Sequence, residues 1–553
     1  MRYKASPTFD ITRKSMIKTK FILPVLFIGL FGLQADSQVK DQSATTDKFA
    51  TLLNYIQHMY VDSVNAEELT EKAIISLLEE LDPHSVYLSK EELKEANEPL
   101  QGSFEGIGIQ FQILHDSILV VNPIEGGPSE KLGIRAGDKI VEIEGKNVAG
   151  VGITNNDVTS SLRGTKGTKV KIGISRKGIK EILRYEIIRD KIPIFSIDAS
   201  YMATSTIGYI KVSRFAKTTT EELRKALDDL KAAGMKDLIL DLQGNGGGLL
   251  NSAIEMADEF IGGDKLLVYT EGRSFPKEEF RANPKLTGRF EKGKVVVLID
   301  ESSASASEIV SGAVQDWDRG LIIGRRSFGK GLVQRPVPLP DGSAVRLTVQ
   351  RYHTPSGRCI QKPYEDGLEA YLGDKRSRFD NGEYFSLDSI SFPDSLKYFT
   401  NVKKRVVYGG GGILPDIFVP LDTTESSNYF SELLRTGINN DWVLSYVDKE
   451  RDNLKRAYPT LDAFVMYYEV PTSGIQEMID MLEKKDVPFN KKEFEISERA
   501  IRLRTKALVA RNLFDYAAFY RVINELNPAF KKAVEVLQDG TYEKSKLAHN
   551  ESK

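Results

Sequence analysis

The sequence has little cysteine, little histidine, almost no net charge and no long apolar run. One of its 553 residues is cysteine, Cys359, so an internal disulfide framework is excluded. Lysine and arginine total 76 against 78 for aspartate and glutamate, a formal net charge of −2. Because the chain has no excess of basic charge, neither nucleic acid nor an anionic membrane surface is an expected partner. No His/Cys/Asp cluster has metal-ligand spacing, so we predict neither a metal nor another cofactor.

An apolar run from Phe21 to Leu33 follows Lys18 and Lys20. A basic stretch, a short apolar run and a small-residue exit are typical of a secretory signal peptide. The run is shorter than the ~20 apolar residues that a membrane span needs. We therefore interpret residues 1–37 as a signal, with Met16 as an alternative start. An exported protein is expected, either periplasmic or membrane-associated on the periplasmic side, and an uncleaved N-terminal anchor is the alternative interpretation.

The pattern of apolar residues in the remaining chain changes three times. Apolar residues recur at helical spacing near both ends, short glycine-separated strands follow the first helical part, and strands then alternate with helices. These changes predict a multidomain α/β and α+β protein with four regions: a helical arm at 44–100, a β-rich domain at 101–191, an α/β core at 195–420 that contains a polar insertion at 366–410, and a helical region at 421–553, frayed after about Leu537.

Two strand-to-helix turns in the predicted core are candidates for chemistry. Residues 300–309 follow a buried apolar strand and open a helix, so a serine hydroxyl there would lie at a sharp turn beside unpaired backbone N–H groups. An ordinary helix cap is the alternative for that turn. Residues 240–249 place glycines at another helix start, which suits an anion or an oxyanion. A dinucleotide site is disfavoured there, because the turn comes late and opens no clear dinucleotide unit.

Lys330 lies between two glycines and beside the apolar residues Phe328, Leu332 and Val333. A lysine acts as a base at neutral pH only if burial lowers its pKa by several units, and these neighbours could supply that setting. A phosphate-binding loop is excluded, because its G-x-x-x-x-G-K-[ST] spacing is absent and the segment leads into a strand. Of five histidines, only His353 has a suitable context in this domain. A Ser–Lys pair is therefore more economical than a Ser-His-Asp triad.

These segments resemble the carboxy-terminal processing proteases, or tail-specific proteases, of the Ser–Lys peptidase family S41. The resemblance implies a PDZ domain that binds peptides and a ClpP/crotonase-like α/β protease core. It implies a serine endopeptidase without a cofactor that captures nonpolar, unstructured C-terminal tails of exported proteins and cleaves them. Five matching segments occur in family order: Leu81–Ser85, Ser303–Ile309, Phe328–Gln334, Tyr352–Arg358 and Gly412–Ile417.

The resemblance also implies roles for individual residues. Ser305 is then the nucleophile, Lys330 its general base and Gln334 the residue that orients the lysine. The oxyanion hole would use the N–H groups of Ala306 and of either Gly247 or Gly248. The family also marks Asp316, which a straight helix places about 16 Å from Ser305, so we interpret it as structural support.

The turn at residues 241–248, called the oxyanion turn below, departs from the family pattern Asp-Leu-Arg-x-Asn-Pro-Gly-Gly at two positions. Gln243 replaces the arginine and Gly246 replaces the proline. Glycine permits more backbone conformations than proline, so the sequence predicts a more flexible turn whose N–H donors are retained.

In the PDZ-like region the resemblance assigns a peptide site. Gly106, Ile107, Gly108 and Ile109 resemble the loop whose N–H groups hold a terminal carboxylate, and the tail would add as a strand beside residues 107–111. Ile107, Ile109 and Leu162 would form an apolar floor. Arg163 follows the domain's helix, and from its position we hypothesise that it couples tail capture to the catalytic core. A plain β-hairpin region is the alternative interpretation of this domain.

Several alternatives remain open at this stage. A pseudoprotease that binds tails without cleaving them and a hydrolase of small acyl substrates are the rival functions. The helical region after residue 428 carries no readable motif, and packing on the core, homodimerisation and binding of an adaptor protein are all compatible with it, as is inner-membrane association. Whether the Ser–Lys pair is aligned before a tail binds is also open.

Overall fold

The computed structural model describes residues 32–545 and residue 547, with side chains from residue 44 onward. Most of the predicted signal segment, residues 1–37, lies outside the described residues. The chain divides into two compact units, one ending at Ser76 and the other beginning at Leu77. The first unit contains helix α1 (Gly32–Met59) and most of α2 (Ala66–Glu79). None of the helices in the described part of the chain combines the length and apolarity that a bilayer crossing needs.

A short strand of the second unit lies within residues 44–100, which were expected to form a helical arm. Strand β1 (Val86–Leu88) pairs with a strand of the core more than 250 residues later and precedes helix α3 (Lys90–Gln101). The side chains of Ser89 and Glu92 cap the start of α3, and Gly102 ends it with φ 73°.

The region at 101–191 forms a β-rich domain. The sheet order β3-β4-β5-β7-β8 is antiparallel, and α5 covers one face through Val158 and Leu162. The apolar pattern of the sequence predicts strands at 139–143 and 169–175 and a helix at about 155–162, and β5, β7 and α5 have these bounds. The elements are β2 (Ser103–Gly106), β3 (Ile109–Ile113), β4 (Ile118–Pro123), α4 (Pro128–Lys131), β5 (Lys139–Ile143), β6 (Lys146–Asn147), α5 (Asn155–Leu162), β7 (Lys169–Ser175), β8 (Leu183–Ile188) and β9 (Asp190–Pro193).

The α/β core is built on a six-stranded sheet of order β10-β11-β12-β15-β16-β21, parallel except for β10 at one edge. All residues of β15 are apolar and buried, because both faces of the sheet are covered. The sheet and its helices comprise β10 (Ile197–Met202), β11 (Ile207–Val212), α6 (Thr219–Ala232), β12 (Asp237–Asp241), α7 (Leu250–Asp258), β15 (Val295–Ile299), α8 (Ala306–Asp316), β16 (Leu321–Gly324) and β21 (Ile417–Phe418).

A second, antiparallel sheet contains a hairpin with its turn at residues 341–342, where the pair Asp341-Gly342 predicts one. Strands β17 and β18 form this hairpin, which begins two residues after Lys330. This sheet comprises β1, β13 (Leu266–Glu271), β14 (Glu278–Arg281), β17 (Leu332–Pro338) and β18 (Ala344–His353).

Residues 366–410 were expected to form a polar insertion. They instead carry buried groups that pack on the loop after β16, which contains Lys330 and is called the lysine loop below. The Arg378 guanidinium is 4% exposed, pairs with Glu383 at 2.7 Å and donates to the carbonyls of Arg326 and Ser327. Burying these charges requires paired partners, which pattern analysis of a polar segment does not reveal. The segment contains α9 (Leu368–Asp380), two short 3₁₀ helices (Leu387–Ser389 and Asp394–Leu396), β19 (Lys397–Phe399) and β20 (Val406–Tyr408).

The C-terminal region is helical, as predicted, but it is ordered beyond Leu537. Tyr542 is fully buried, and its hydroxyl accepts the N–H of Val295 at 3.1 Å. Helix α16 covers the face of the core sheet opposite α6, α7 and α8. The prediction of a frayed end is therefore wrong for residues 538–545. The helices are α10 (Asn428–Arg435), α11 (Ile438–Ala457), α12 (Leu461–Tyr467), α13 (Thr472–Glu483), α14 (Lys491–Leu513), α15 (Tyr516–Ile523), a 3₁₀ turn (Asn524–Leu526), α16 (Pro528–Gln538) and α17 (Thr541–Lys544).

Candidate active site

Three loops follow neighbouring parallel strands of the core sheet. The loop after β12 leads to α7, the loop after β15 leads to α8, and the loop after β16 leads to the β17–β18 hairpin. Because the carboxyl ends of parallel strands lie at one edge of a sheet, these loops meet there. The fold therefore brings together the glycine-rich turn at residues 240–249, the serine-rich turn at residues 300–309 and the lysine loop.

Ser305 differs from the other serines of its run. It is half-buried, and its backbone has φ 55° and ψ −112°, a strained conformation for a residue with a side chain. The hydroxyls of Ser303 and Ser307 are buried and donate to the carbonyls of Leu242 and Asn245, each at 2.8 Å. Within the described residues the Ser305 hydroxyl donates no hydrogen bond. Its hydroxyl is the one that remains available for chemistry.

Lys330 is directed at Gln334. Its Nζ donates to Gln334 Oε1 at 3.1 Å, and Gln334 Nε2 donates in turn to the carbonyl of His84. Burial lowers the pKa of the Lys330 ammonium, and the charge of Arg346 lowers it further. The amine makes no hydrogen bond with Ser305 in the described structure. The structure thus brings Lys330 and Gln334 together, and the serine and the lysine are not hydrogen-bonded at rest.

The segment around His84 supports the Gln334 side chain, which donates to the His84 carbonyl. The Asp82 carboxylate accepts the N–H groups of His84 and Ser85 and the hydroxyl of Thr348, at 2.9–3.0 Å. Burial, followed by the nearby charge of Lys330, lowers the pKa of the His84 imidazole to about 4, so the ring is neutral at pH 7. The motif is therefore a support for Gln334 and lies beside the lysine.

One carboxylate, which the sequence analysis did not single out, joins the serine to the lysine. Glu308 is fully buried, and its Oε2 accepts the backbone N–H groups of Ser305 at 2.8 Å and Lys330 at 2.9 Å. Its Oε1 accepts the Ser327 hydroxyl at 2.5 Å and the Gly329 N–H at 2.7 Å. Burial raises the pKa of this carboxyl to about 7. A glutamate three residues after a helix-capping serine is a capping-box pattern that could have drawn attention to it.

Tyr352 provides a second link between the same two segments. Its buried hydroxyl lies 3.1 Å from the carbonyl oxygen of Ser305 and 2.5 Å from that of Lys330. Together with Glu308, it holds the backbones on both sides of the reacting groups while leaving their side chains free to move. Tyr352 belongs to a recognised motif, but nothing local in the sequence indicates this contact.

At the oxyanion turn the structure distinguishes the two alternative glycine donors, Gly247 and Gly248. The N–H of Gly247 donates to Asn245 Oδ1 at 2.9 Å and so is already engaged. The N–H groups of Gly248 and Ala306 donate to no acceptor among the residues that the structure describes. Gly247 has φ 101°, and an added Cβ there would lie 2.8 Å from Ser305 Cβ, which explains the glycine. Gly248 and Ala306 are therefore the available pair.

The predicted flexibility of this turn is also corrected. Asn245 is fully buried, donates through Nδ2 to the carbonyl of Val212 at 3.0 Å and accepts the Ala304 N–H through its own carbonyl. Gln243, at the position of the family arginine, accepts the Asn527 side-chain amide at 2.8 Å. Side chains from other segments therefore hold the turn where proline does not.

Five of the six predicted tail-binding residues line one groove in the β-rich domain, and Gly108 is not among its lining residues. Within the described chain, the N–H groups of Ile107 and Gly108 have no acceptor, as a carboxylate-binding loop requires. Arg163 pairs with Glu98 at 2.5 Å, which connects the groove to α3. The groove's walls include the predicted residues Gly106, Ile107, Ile109, Leu162 and Arg163.

Comparison with known proteins identifies the domains. The models of peptidase family S41, the PDZ domain and the activating protease CtpB N-terminal domain match residues 206–369, 106–186 and 32–92. A family of unknown function matches residues 429–515. The chain is 36% identical over 351 residues to a carboxy-terminal-processing protease of Bartonella bacilliformis, covering 61% of this chain and 80% of the relative. It is 32% identical over 454 residues to carboxy-terminal processing protease CtpB of Bacillus subtilis (81% and 89%) and 38% identical over 360 residues to CtpA of the same organism (63% and 76%).

The chain belongs to the carboxy-terminal processing proteases. It is a serine peptidase of family S41 with a PDZ domain, and the predicted family and fold class are confirmed. The matches also agree with the helical N-terminal part and the mixed α/β core.

Asp316 of this protease lies away from the reacting groups. Its carboxylate and the guanidinium of Arg358 are both fully buried and lie 2.7 Å apart, and the carboxylate also accepts the N–H of Ser356 at 2.9 Å. The pair fastens α8 to the loop after β18. Its contacts agree with the interpretation of Asp316 as structural support.

Two other side chains of the core that could in principle react, Cys359 and His353, have different surroundings. Burial raises the pKa of the Cys359 thiol, which disfavours the reactive thiolate. His353 stacks on Tyr269 with ring centroids 4.6 Å apart and lies 3.3 Å from Glu271. No group of at least three His, Cys, Asp or Glu suited to a metal occurs among the described residues.

Proposed function

We propose that this carboxy-terminal processing protease cleaves peptide bonds with a Ser305–Lys330 dyad. The observation that carries the proposal is the half-buried Lys330 amine, which is held by Gln334 and has a lowered pKa. The backbone N–H groups of Lys330 and Ser305 both donate to the Glu308 carboxylate. A lowered pKa increases the fraction of lysine that is present as the neutral amine, the form that a general base requires.

In the proposed mechanism, Lys330 turns from Gln334 to Ser305 and accepts the hydroxyl proton as the oxygen attacks the scissile carbonyl. The N–H groups of Gly248 and Ala306 stabilise the oxyanion. The intermediate collapses, the C–N bond breaks and the ammonium of Lys330 returns the proton to the leaving amine. A water molecule, deprotonated by the same amine, then hydrolyses the acyl-enzyme and releases Ser305.

The proposed substrates are exported proteins with nonpolar, unstructured C-terminal tails. The apolar groove floor and the unengaged N–H groups of Ile107 and Gly108 support capture of such a tail. The signal-like run at Phe21–Leu33 supports export to the periplasm or its membrane face. N-terminal sequencing of the mature protein and fractionation of expressing cells test the export proposal; an intact N-terminus in the cytoplasmic fraction would contradict it.

A model substrate with a flexible nonpolar tail tests the chemistry. We expect cleavage by the unaltered protein and its loss, by at least a thousandfold, in both Ser305→Ala and Lys330→Ala. Lys375→Ala is the matched control, because this lysine is on α9 and donates to Ser302 instead. Retained cleavage in Lys330→Ala would overturn the dyad, and tail binding without cleavage by the unaltered protein would favour a pseudoprotease. Hydrolysis of small esters alone would favour an acyl hydrolase.

A further inference from the structure

The C-terminal helical region contributes two side chains to the wall of the PDZ groove. Arg511 at the end of α14 and Tyr516 at the start of α15 line the same cavity as Ile107, Ile109 and Leu162. The guanidinium lies 5.7 Å from the centroid of the Tyr516 ring. The groove is therefore a composite of two regions.

Packing between the PDZ domain and the helical region holds these two side chains in position. Leu119 and Val121 of β4 form a buried apolar cluster with Leu444 of α11. At the edge of this contact, Lys139 pairs with Asp448 at 3.4 Å. The helical region thus covers one face of the PDZ sheet, while α5 covers the other.

The sheet register shows which side chains of a bound tail would meet each face. Gln112 pairs with Leu119 on the face toward the helical region, whereas Phe111 pairs with Val120 on the face toward α5. Side chains of a strand alternate between faces, so a tail added beside β3 would do the same. If the last side chain enters the apolar floor, the third from the end also faces α5. The penultimate and fourth-from-last side chains then face the helical region.

The charged side chains in the groove wall are all positive. Its lining residues include two arginines and no carboxylate. Arg163 is neutralised by Glu98, whereas Arg511, a half-buried residue, has no ion pair or hydrogen bond within the described part of the chain. A partly buried guanidinium without a carboxylate favours an anionic ligand that can pair with it.

We propose that Arg511 and Tyr516 select tails with an acidic side chain at the penultimate or fourth-from-last position. The helical region thereby sets substrate specificity, a role that rests on the tail capture proposed above. The acidic side chain pairs with Arg511, and the neighbouring tail backbone and side-chain stem pack on the Tyr516 ring.

The test measures tail binding by fluorescence anisotropy with full-length protein carrying Ser305→Ala. Two labelled peptides end in valine and have one composition: the first has glutamate at the penultimate and fourth-from-last positions, the second at the third- and fifth-from-last. We expect the first to bind about tenfold more tightly at low salt, with the preference falling as salt rises. Arg511→Ala should reduce the preference to less than twofold. Arg511→Glu should bind a third peptide, with lysine at the penultimate and fourth-from-last positions, more tightly than the first.

Arg499→Ala is the matched control, because this arginine is also on α14 but pairs with Glu425. Thermal unfolding verifies that each variant is folded. Equal binding of the two peptides, or an unchanged preference in Arg511→Ala, would overturn the inference while leaving tail capture intact. A version of the first peptide with an amidated C-terminus tests tail capture separately from the selection of acidic side chains, because it lacks the terminal carboxylate but keeps both glutamates. Failure of every peptide to bind, or indifference to the terminal carboxylate, would overturn tail capture at this site and the inference with it.

Discussion

The Lys330 amine lies 3.1 Å from Gln334 Oε1 and donates its hydrogen bond there, while the Ser305 hydroxyl donates to none of the described residues. The proposed base is thus half-buried and oriented, but it is not hydrogen-bonded to the serine. In the proposed mechanism the lysine side chain must rotate to reach Ser305, since the backbones of both residues are held by Glu308 and Tyr352.

Gln334→Glu should shift the pH dependence of kcat/KM to higher pH. A carboxylate at this position stabilises the ammonium of Lys330 and raises its pKa, so less neutral amine is present at pH 7. We expect activity to fall about tenfold or more at pH 7 and to recover toward the unaltered value at alkaline pH. Gln334→Ala, which adds no charge, should lower activity without that upward shift. An unchanged pH profile in Gln334→Glu would argue against Lys330 as the base.

Glu308→Gln should damage both stability and catalysis. The glutamine amide would face one or more of the four donors that the carboxylate accepts, leaving buried groups unsatisfied. The expected loss in free energy of unfolding is about 1–3 kcal/mol, measurable by urea denaturation. A variant as stable as the original would show that the four contacts contribute little.

The same carboxylate should affect the pH profile. The pKa of Glu308 is about 7, and protonation removes an acceptor from the backbones of Ser305 and Lys330. Lys330 must also be deprotonated to act as a base, so both groups reduce activity as pH falls. We expect the logarithm of kcat/KM to approach a slope of 2 well below both pKa values. In Glu308→Gln the limiting slope should be 1, and a slope of 1 in the unaltered protein would contradict this account.

Asn527→Ala should lower kcat with little effect on KM. The lost hydrogen bond to Gln243 loosens the oxyanion turn, and a neutral hydrogen bond of about 0.5–1.5 kcal/mol corresponds to a decrease of roughly two- to tenfold. Lys532→Ala is the control, since Lys532 is on α16, the helix that Asn527 caps, and pairs only with Glu535 at the surface. Steady-state kinetics in which KM changes and kcat does not would contradict a role at the turn.

Arg163→Ala should reduce the stimulation of cleavage by a captured tail. Its ion pair with Glu98 connects the groove to α3, and the α3 carbonyl of Leu100 accepts the N–H of Lys217 in the core. We expect weaker acceleration of tailed over untailed substrate, with untailed cleavage unchanged. A double-mutant cycle with Glu98→Ala tests whether the two residues act through each other. Independent effects, or unaltered tail stimulation, would exclude this path.

Asp316→Asn should destabilise the protease strongly, because it leaves the Arg358 guanidinium buried without its counter-ion. Removing one partner of such a pair typically costs about 3–5 kcal/mol. Asp380→Asn, at an exposed i,i+4 pair with Arg376, should change the free energy of unfolding by less than about 1 kcal/mol. Residual folded Asp316→Asn protein should keep the pH profile of the unaltered enzyme, and a shifted profile would give Asp316 a place in the chemistry.

The amino-acid sequence by itself determined the kind of elements and the segments that carry chemistry. Strands β5 and β7 and helix α5 follow from periodicity and turn residues, which act over a few positions. Ser305 at a helix start and Lys330 between glycines are likewise local patterns. The motifs also sufficed to identify the family.

Only the tertiary structure decided how these pieces work together. Glu308 collects donors from two distant segments, Gly247 gives its N–H to Asn245, and Gln334 holds the lysine away from the serine. The placement of Arg511 in the PDZ groove depends on a helix more than 300 residues from β3. Such contacts form between parts of the chain that share no local pattern, so they become visible only when the path of the folded backbone is known.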